Sequence, residues 1–449
     1  RRVPSVSLRR GTPADPLHLE ETMRTRHGLT AVLLLGTLLV AGCGGDEAPR
    51  TRKLLVIGID SADWRLWDPL LQEGRLPHLA AFMEESARGR MRTFYPLEKS
   101  PLLWASICTG VMPDVHGVDN FVKGTDQEPV TGSAWYAPAL WDIAGAADKT
   151  TCVVGMWTTY PARPINGVMV SDYLPYGHGR ERPLANLVSP DSLTAELVEL
   201  RVEPASITSE MLGRFVDPAR LAEADEKFPR DMEKLRDILA ADMSYLAVSR
   251  HLAKTGDYDV FFFYQRGPDM ISHHFWGFME PDKGNVRYDP EQVDLFGEVV
   301  RRYYEWSDEV FAEVLGWFEP TRQVAVLSDH GFYGPRKSGD KGASEHSEWG
   351  IFLVRSPLYQ PGVEFGHIEL IDVMPTFLAL IGLPPAADMP GAILAEGLSK
   401  RGEKEVAGFE KNRVESYLGL RPAVGPEGEK DEQVNEEIRK QLRSLGYIK

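Results

Sequence analysis

Cysteine is nearly absent, with three in 449 residues: Cys43, Cys108 and Cys152. So few exclude a disulfide framework and a cysteine-based zinc site. Cys108 and Cys152 lie in apolar stretches and read as buried free thiols. Positive charge is also short. Lys and Arg number 50 against 66 Asp and Glu, a net charge of −16, which argues against a nucleic-acid-binding surface. Only one long apolar run occurs, Leu29 to Gly42, and no internal repeat is evident.

That run sets the expected layout. Arg24, Arg26 and His27 precede it, as in a signal peptide, and it ends in "LVAGC". A small-residue site followed at once by Cys43 resembles the bacterial lipobox, which implies lipid on Cys43 and membrane attachment. The location would be the cell envelope, on the periplasmic or outer-membrane face. Residues 1–22 read as an upstream segment, 23–42 as the leader and 43–52 as a tether. Residues 53–400 then form the main domain, with a variable helical insertion at about 175–255, and 401–449 a charged helical tail.

At 43% hydrophobic, the chain can bury a sizeable core. "KLLVIGID", "TCVVGMW", "INGVMVSDY", "YDVFFFYQRGPD", "RQVAVLSDHG" and "GIFLVRS" read as buried strands. "LPHLAAFMEESA", the 221–254 stretch and "DLFGEVVRRYYEWSDEVFAEVLGWF" read as helices. The alternation predicts an α/β fold, a doubly wound and mostly parallel sheet flanked by helices. In such a sheet, ligands sit beyond the carboxyl ends of the strands. Asp60, Asp269 and Asp329 fall at or just after those ends and so gather in space.

Asp329 and His330 are adjacent donors suited to a zinc-like cation, and Gly331 permits a sharp turn. Asp269 and His273, four apart, share one face of a helical turn. His274 points elsewhere and reads as supporting. His346 stands just before a strand. Asp60 completes three Asp and three His, enough for two metal ions with three protein ligands each and open positions besides. In "KSPLLWASICTG", Ser100 reads as an N-cap with Pro101 at the first helical position. Amides and dipole at that helix start favour an anion, and a nearby metal would activate the hydroxyl. Ser100 is therefore either a cap alone or also a nucleophile. His116 reads as structural.

The ordered set "LLVIGID…KSPLLWASICTGVMPDVHGV…PDMISHH…SDHG…EHSEWG" resembles the alkaline phosphatase superfamily. Within it, the set is similar to the type I phosphodiesterase/nucleotide pyrophosphatase family and its phosphohydrolase/phosphomutase members. The resemblance implies an alkaline phosphatase-like fold and two divalent ions, zinc by preference. One ion would sit on Asp60, Asp329 and His330 beside Ser100, the other on Asp269, His273 and His346. It implies hydrolysis of a phosphate ester, mono- or diester, through a phosphoseryl intermediate on Ser100. Two departures stand out. Leu103 takes the place of a phosphate-contacting Asn, so Lys99 is the substitute for substrate charge. Ser61 follows Asp60 where sulfatases carry a second acid. Phosphomutase or phosphotransferase activity, sulfatase activity and a non-catalytic lipid-anchored binding role are the alternatives.

Overall fold

The computed structural model describes residues 52–94, 99–176, 185–283, 287–334, 346–420, 432–444 and 448. The expected leader, Cys43 and all but the last residue of the tether lie outside them. Nine strands form one sheet: β1 (Leu54–Ile59), β2 (Ala87–Arg92), β3 (Thr151–Val154), β4 (Gly167–Val170), β5 (Val188–Ser189), β6 (Val260–Gln265), β7 (Gln323–Leu327), β8 (Trp349–Arg355) and β9 (Ile368–Glu369). Their order is β9-β2-β8-β7-β1-β6-β3-β4-β5. The run β7-β1-β6-β3-β4 is parallel, whereas β8 lies antiparallel to β7 and β2, and β5 antiparallel to β4. The mostly parallel α/β fold is therefore present. Buried on both faces, β1 and β6 are uninterrupted by exposed positions, as such central strands require.

Successive residues of β1 show the two layers. A side chain at Gly58 would run into Trp104, whose indole carbon lies 2.7 Å from the position of a Cβ. Trp104 belongs to helix α2 (Ser100–Thr109; α1 is Trp64–Gln72). Ile59 points the other way, lining a small cavity with Tyr304 and Phe311. Those two belong to α5 (Val299–Gly316), which packs on α4 (Gly267–Met279), which in turn packs on α3 (Pro229–Thr255). Gly58 thus lets α2, with Ser100 at its start, lie close against β1.

Several elements differ from the sequence reading. The "DLFGEVV…" helix is two, Pro290–Phe296 and α5, divided at Gly297. The 221–254 stretch also breaks, at Phe228, because the residue before a proline is pushed out of the helical region. Strand β2, "ARGRMR", was hidden: only Ala87 and Met91 are buried, and its arginines mask the strand period. It exists because β8 and β9 pair with its two edges. Cys108 and Cys152 are buried free thiols, and burial pushes both upward in pKa. Among the described residues, no helix is long and apolar enough to cross a membrane.

Candidate functional site

The carboxyl ends of β1, β6 and β7 meet the start of α2. Asp60 follows β1 directly, Asp269 sits in the first turn of α4, and Asp329 and His330 follow β7. His346 comes from a two-stranded ribbon, Gly331–Phe332 with His346–Ser347. Ligand atoms of Asp60, Asp329 and His330 lie within 4.8 Å of one another, and so do those of Asp269, His273 and His346. The imidazoles of His330 and His346 stack at 3.8 Å, so the two triads are neighbours. Asp269 Oδ1 is 3.4 Å from both His273 Nε2 and His346 Nε2.

Ser100 stands beside the first triad. It is not the helix cap: Lys99 is, in extended conformation, and its carbonyl accepts the first helical bond from Leu103 N–H at 3.0 Å. Ser100 is the first helical residue, and its hydroxyl faces His330 Nε2 at 3.2 Å. His330 Nδ1 faces the Gly331 carbonyl at 3.1 Å. A carbonyl only accepts, which assigns the proton to Nδ1 and the lone pair to Nε2. Burial, then the His346 charge, holds His330 well below its ordinary pKa, so the ring is neutral.

Burial leaves the first triad strongly unsatisfied. Asp60, Asp329 and His330 are each 0% exposed, yet Asp60 Oδ1 and both Asp329 carboxylate oxygens have no hydrogen-bond partner. Burial and then the Asp269 charge raise Asp60 to about 6. Burial and then Asp60 raise Asp329. Buried bare carboxylates are costly without a counter-charge. Two carboxylates and one imidazole nitrogen are a donor set that fits a divalent cation such as zinc. The second triad differs: burial would raise Asp269, but His273 and His346 hold it well below the carboxylate range.

Residues read as plain core or turn position these groups. Tyr264, in β6, donates its hydroxyl to Asp60 Oδ2, and Trp157 Nε1 reaches the same oxygen at 3.4 Å. Burial keeps the Tyr264 phenol protonated. One carboxylate oxygen is thereby held by the protein and the other left bare. Trp157 lies under the Arg266 guanidinium, 3.6 Å from the ring centroid. The next residue, Thr158, has φ +57°, rare for a β-branched residue, and its N–H is anchored on Asp172 at 3.0 Å. Trp157 and Thr158 thereby build the wall behind Asp60.

Asp63 is a second unread support. It caps α1 through Arg65 N–H at 2.8 Å, and its Oδ2 accepts from Ser347 Oγ at 3.0 Å and Phe332 N–H at 3.1 Å. It thus ties the His346 ribbon to the end of β1. A Cβ on Gly331 would sit 2.1 Å from Asp63 Oδ2, so this glycine makes room rather than supplying the expected turn. An "SADW" signature shows a cap; it does not show what the second oxygen holds.

Other predicted residues fall as follows. Lys99 is exposed, its ammonium 6.0 Å from the Phe121 ring centroid. Leu103 is fully buried in the core and offers no polar group. His274 turns away from the triads and pairs with Asp231 at 2.8 Å. His116 is structural: Val118 N–H donates to its Nδ1 at 3.1 Å, and its Nε2 meets Ser106 Oγ at 2.8 Å. Burial lowers it to about 4.

Among curated proteins, none matches the sequence. Solved structures include human ectonucleotide pyrophosphatase/phosphodiesterase 5, 11% identical over 78% of this chain and 100% of that one, with TM-score 0.43. A 2-O GAG sulfatase is 12% identical over 77% and 73%, TM-score 0.48. Phosphonoacetate hydrolase from Sinorhizobium meliloti, bound to phosphonoformate, is 16% identical, TM-score 0.37; the match covers 63% of this chain and 56% of the hydrolase. A family model described as type I phosphodiesterase/nucleotide pyrophosphatase matches residues 54–338, which takes in every residue of both triads except His346. The chain belongs to the type I phosphodiesterase/nucleotide pyrophosphatase family of phosphoester hydrolases, a metal-dependent family.

Proposed function

We propose that the protein hydrolyses phosphoric mono- or diesters through Ser100, with Asp60, Asp329 and His330 holding one divalent cation and Asp269, His273 and His346 a second. Zinc fits these N and O donors best. The observation that carries this is the set of three buried carboxylate oxygens without a hydrogen bond, two of them 3.4 and 3.6 Å from His330 Nε2, with the Ser100 hydroxyl on the same nitrogen. When bound, the cations supply counter-charge to the phosphoryl oxygens and favour the serine alkoxide.

The chain's own groups do the rest. Ser100 Oγ, its proton passed to water, attacks phosphorus opposite the leaving ester oxygen. The Oγ–P bond forms, the ester P–O bond breaks, and the leaving group departs as an alcohol after taking a proton from water. Water then attacks the phosphoserine, releases phosphate or a phosphomonoester and restores Ser100. Two in-line steps retain configuration at phosphorus. The positive end of the α2 dipole lies at Ser100 and favours the phosphoryl anion, and Lys99, the exposed residue just before it, adds positive charge. The leader sequence supports a cell-envelope location, tethered by lipid on Cys43.

The purified protein is expected to cleave an aryl phosphate mono- or diester with added Zn²⁺, to stop with chelator, and to leave an aryl sulfate intact. No turnover of either phosphate ester with metal bound would overturn the reading. Phosphate delivered to an added alcohol instead of water would turn it to phosphoryl transfer.

Tyr264→Phe removes the hydroxyl that orients Asp60. Such outer partners of metal ligands are worth about 10- to 100-fold in metal affinity. A loss of that size is expected in chelator competition, with the fold unchanged by circular dichroism.

A further inference from the structure

Two buried non-glycine residues with φ near +60° occur among the described residues, Ser61 at +62° and Thr158 at +57°. Thr158 is explained by the wall behind Asp60. Ser61 lies between the two triads and is 0% exposed. Glycine would fill that backbone position without strain, so a serine there carries a backbone cost for which its side-chain contacts can account.

The Ser61 hydroxyl has partners on both sides. It donates to Asp269 Oδ1 at 2.6 Å, the oxygen that also faces His273 and His346. It lies 3.2 Å from His330 Nδ1. Because Nδ1 carries the proton, Ser61 Oγ accepts there and gives its own hydrogen to Asp269. The chain of donors runs His330 Nδ1–H, Ser61 Oγ–H, Asp269 Oδ1. The Ser61 carbonyl is held in turn by the Tyr304 hydroxyl at 3.1 Å, which fixes the residue from the α5 side.

We infer that Ser61 is a positioning residue that couples the two metal sites: one hydroxyl orients the His330 ring for the first ion and the Asp269 carboxylate for the second. This rests on the metal-binding reading above. Loss of the hydroxyl would leave His330 free to rotate towards Gly331 alone and Asp269 short of one donor. Both sites would loosen together, although no ligand is changed.

The test is Zn²⁺ titration of metal-stripped parent, Ser61→Ala and Ser61→Gly proteins against a chromophoric chelator, with thermal unfolding of each in chelator. Two binding steps are expected in the parent, both about 10- to 100-fold weaker in each variant. Ser61→Gly should unfold no earlier than the parent in chelator, since it relieves the backbone. Weakening of one step alone, or unchanged affinities, would overturn the coupling while leaving the metal sites standing. A purely structural role would lower both variants' unfolding temperatures in chelator and leave the affinities of the folded proteins in place. A parent that binds no Zn²⁺ would overturn both readings.

Discussion

Ser100→Ala is expected to lower phosphoester hydrolysis by roughly 10⁴-fold or more while both metal sites keep their ions. Removing a nucleophile takes away the covalent step itself, and residual rates then come only from binding and electrostatics. The hydroxyl is not the helix cap, since Lys99 fills that role. The substitution therefore costs little stability, and an unfolding temperature within a few degrees of the parent is expected. Brief reaction with a labelled substrate followed by acid quench should trap phosphoserine in the parent and nothing in the variant. A variant that keeps full activity with metals bound would exclude Ser100 as nucleophile.

Asp329→Asn is expected to have opposite effects on activity and on the metal-free fold. Loss of a ligand charge should cut activity more than about 100-fold, beyond the effect of an outer partner. In chelator, however, the variant should unfold later than the parent at neutral pH. Both oxygens of Asp329 are buried without a hydrogen bond, and burial raises its pKa. A carboxylate with a raised folded pKa takes up protons more readily folded than unfolded. It therefore weakens the fold as pH climbs above its unfolded value, and the burden vanishes below that value. The stability difference between variant and parent should thus be near zero below about pH 4, the ordinary carboxylate range, and grow as pH rises. His116, held neutral by burial away from the triads, loses stability in the other direction as pH falls, but it is common to both proteins and cancels in the difference. Excess Zn²⁺ should reverse the order, with the parent the more stable. A chelated variant less stable than the chelated parent at neutral pH would contradict the reading of Asp329 as a charge that needs a counter-ion.

These effects share one cause, and it explains how far the sequence could be read. Strands β1, β6 and β7 announce themselves because central parallel strands are apolar on both faces, and their acids stand just past the last apolar residue. The strand-end rule then gathers Asp60, Asp269 and Asp329 without knowledge of strand order. Spacing on a helix pairs Asp269 with His273. Strand β2 escaped because its stability comes from its two neighbours rather than from its own pattern. The helix breaks at Gly297 and Phe228 are backbone events inside otherwise periodic runs.

By itself the sequence determined the kind of sheet, the identity of the donors and the serine that stands beside them, since these depend on local pattern and residue chemistry. Only the tertiary structure decided which atoms are already occupied. It gave one Asp60 oxygen to Tyr264 and Trp157 and left the other bare. It moved the helix cap from Ser100 to Lys99, buried Leu103 in the core, and turned Gly331 from a hinge into a space for Asp63. It placed Ser61 between the triads, a contact between residues 208 and 269 positions apart in the chain. Hydrogen-bond assignments of this kind depend on distances of a few ångströms between distant segments, and no local periodicity encodes them.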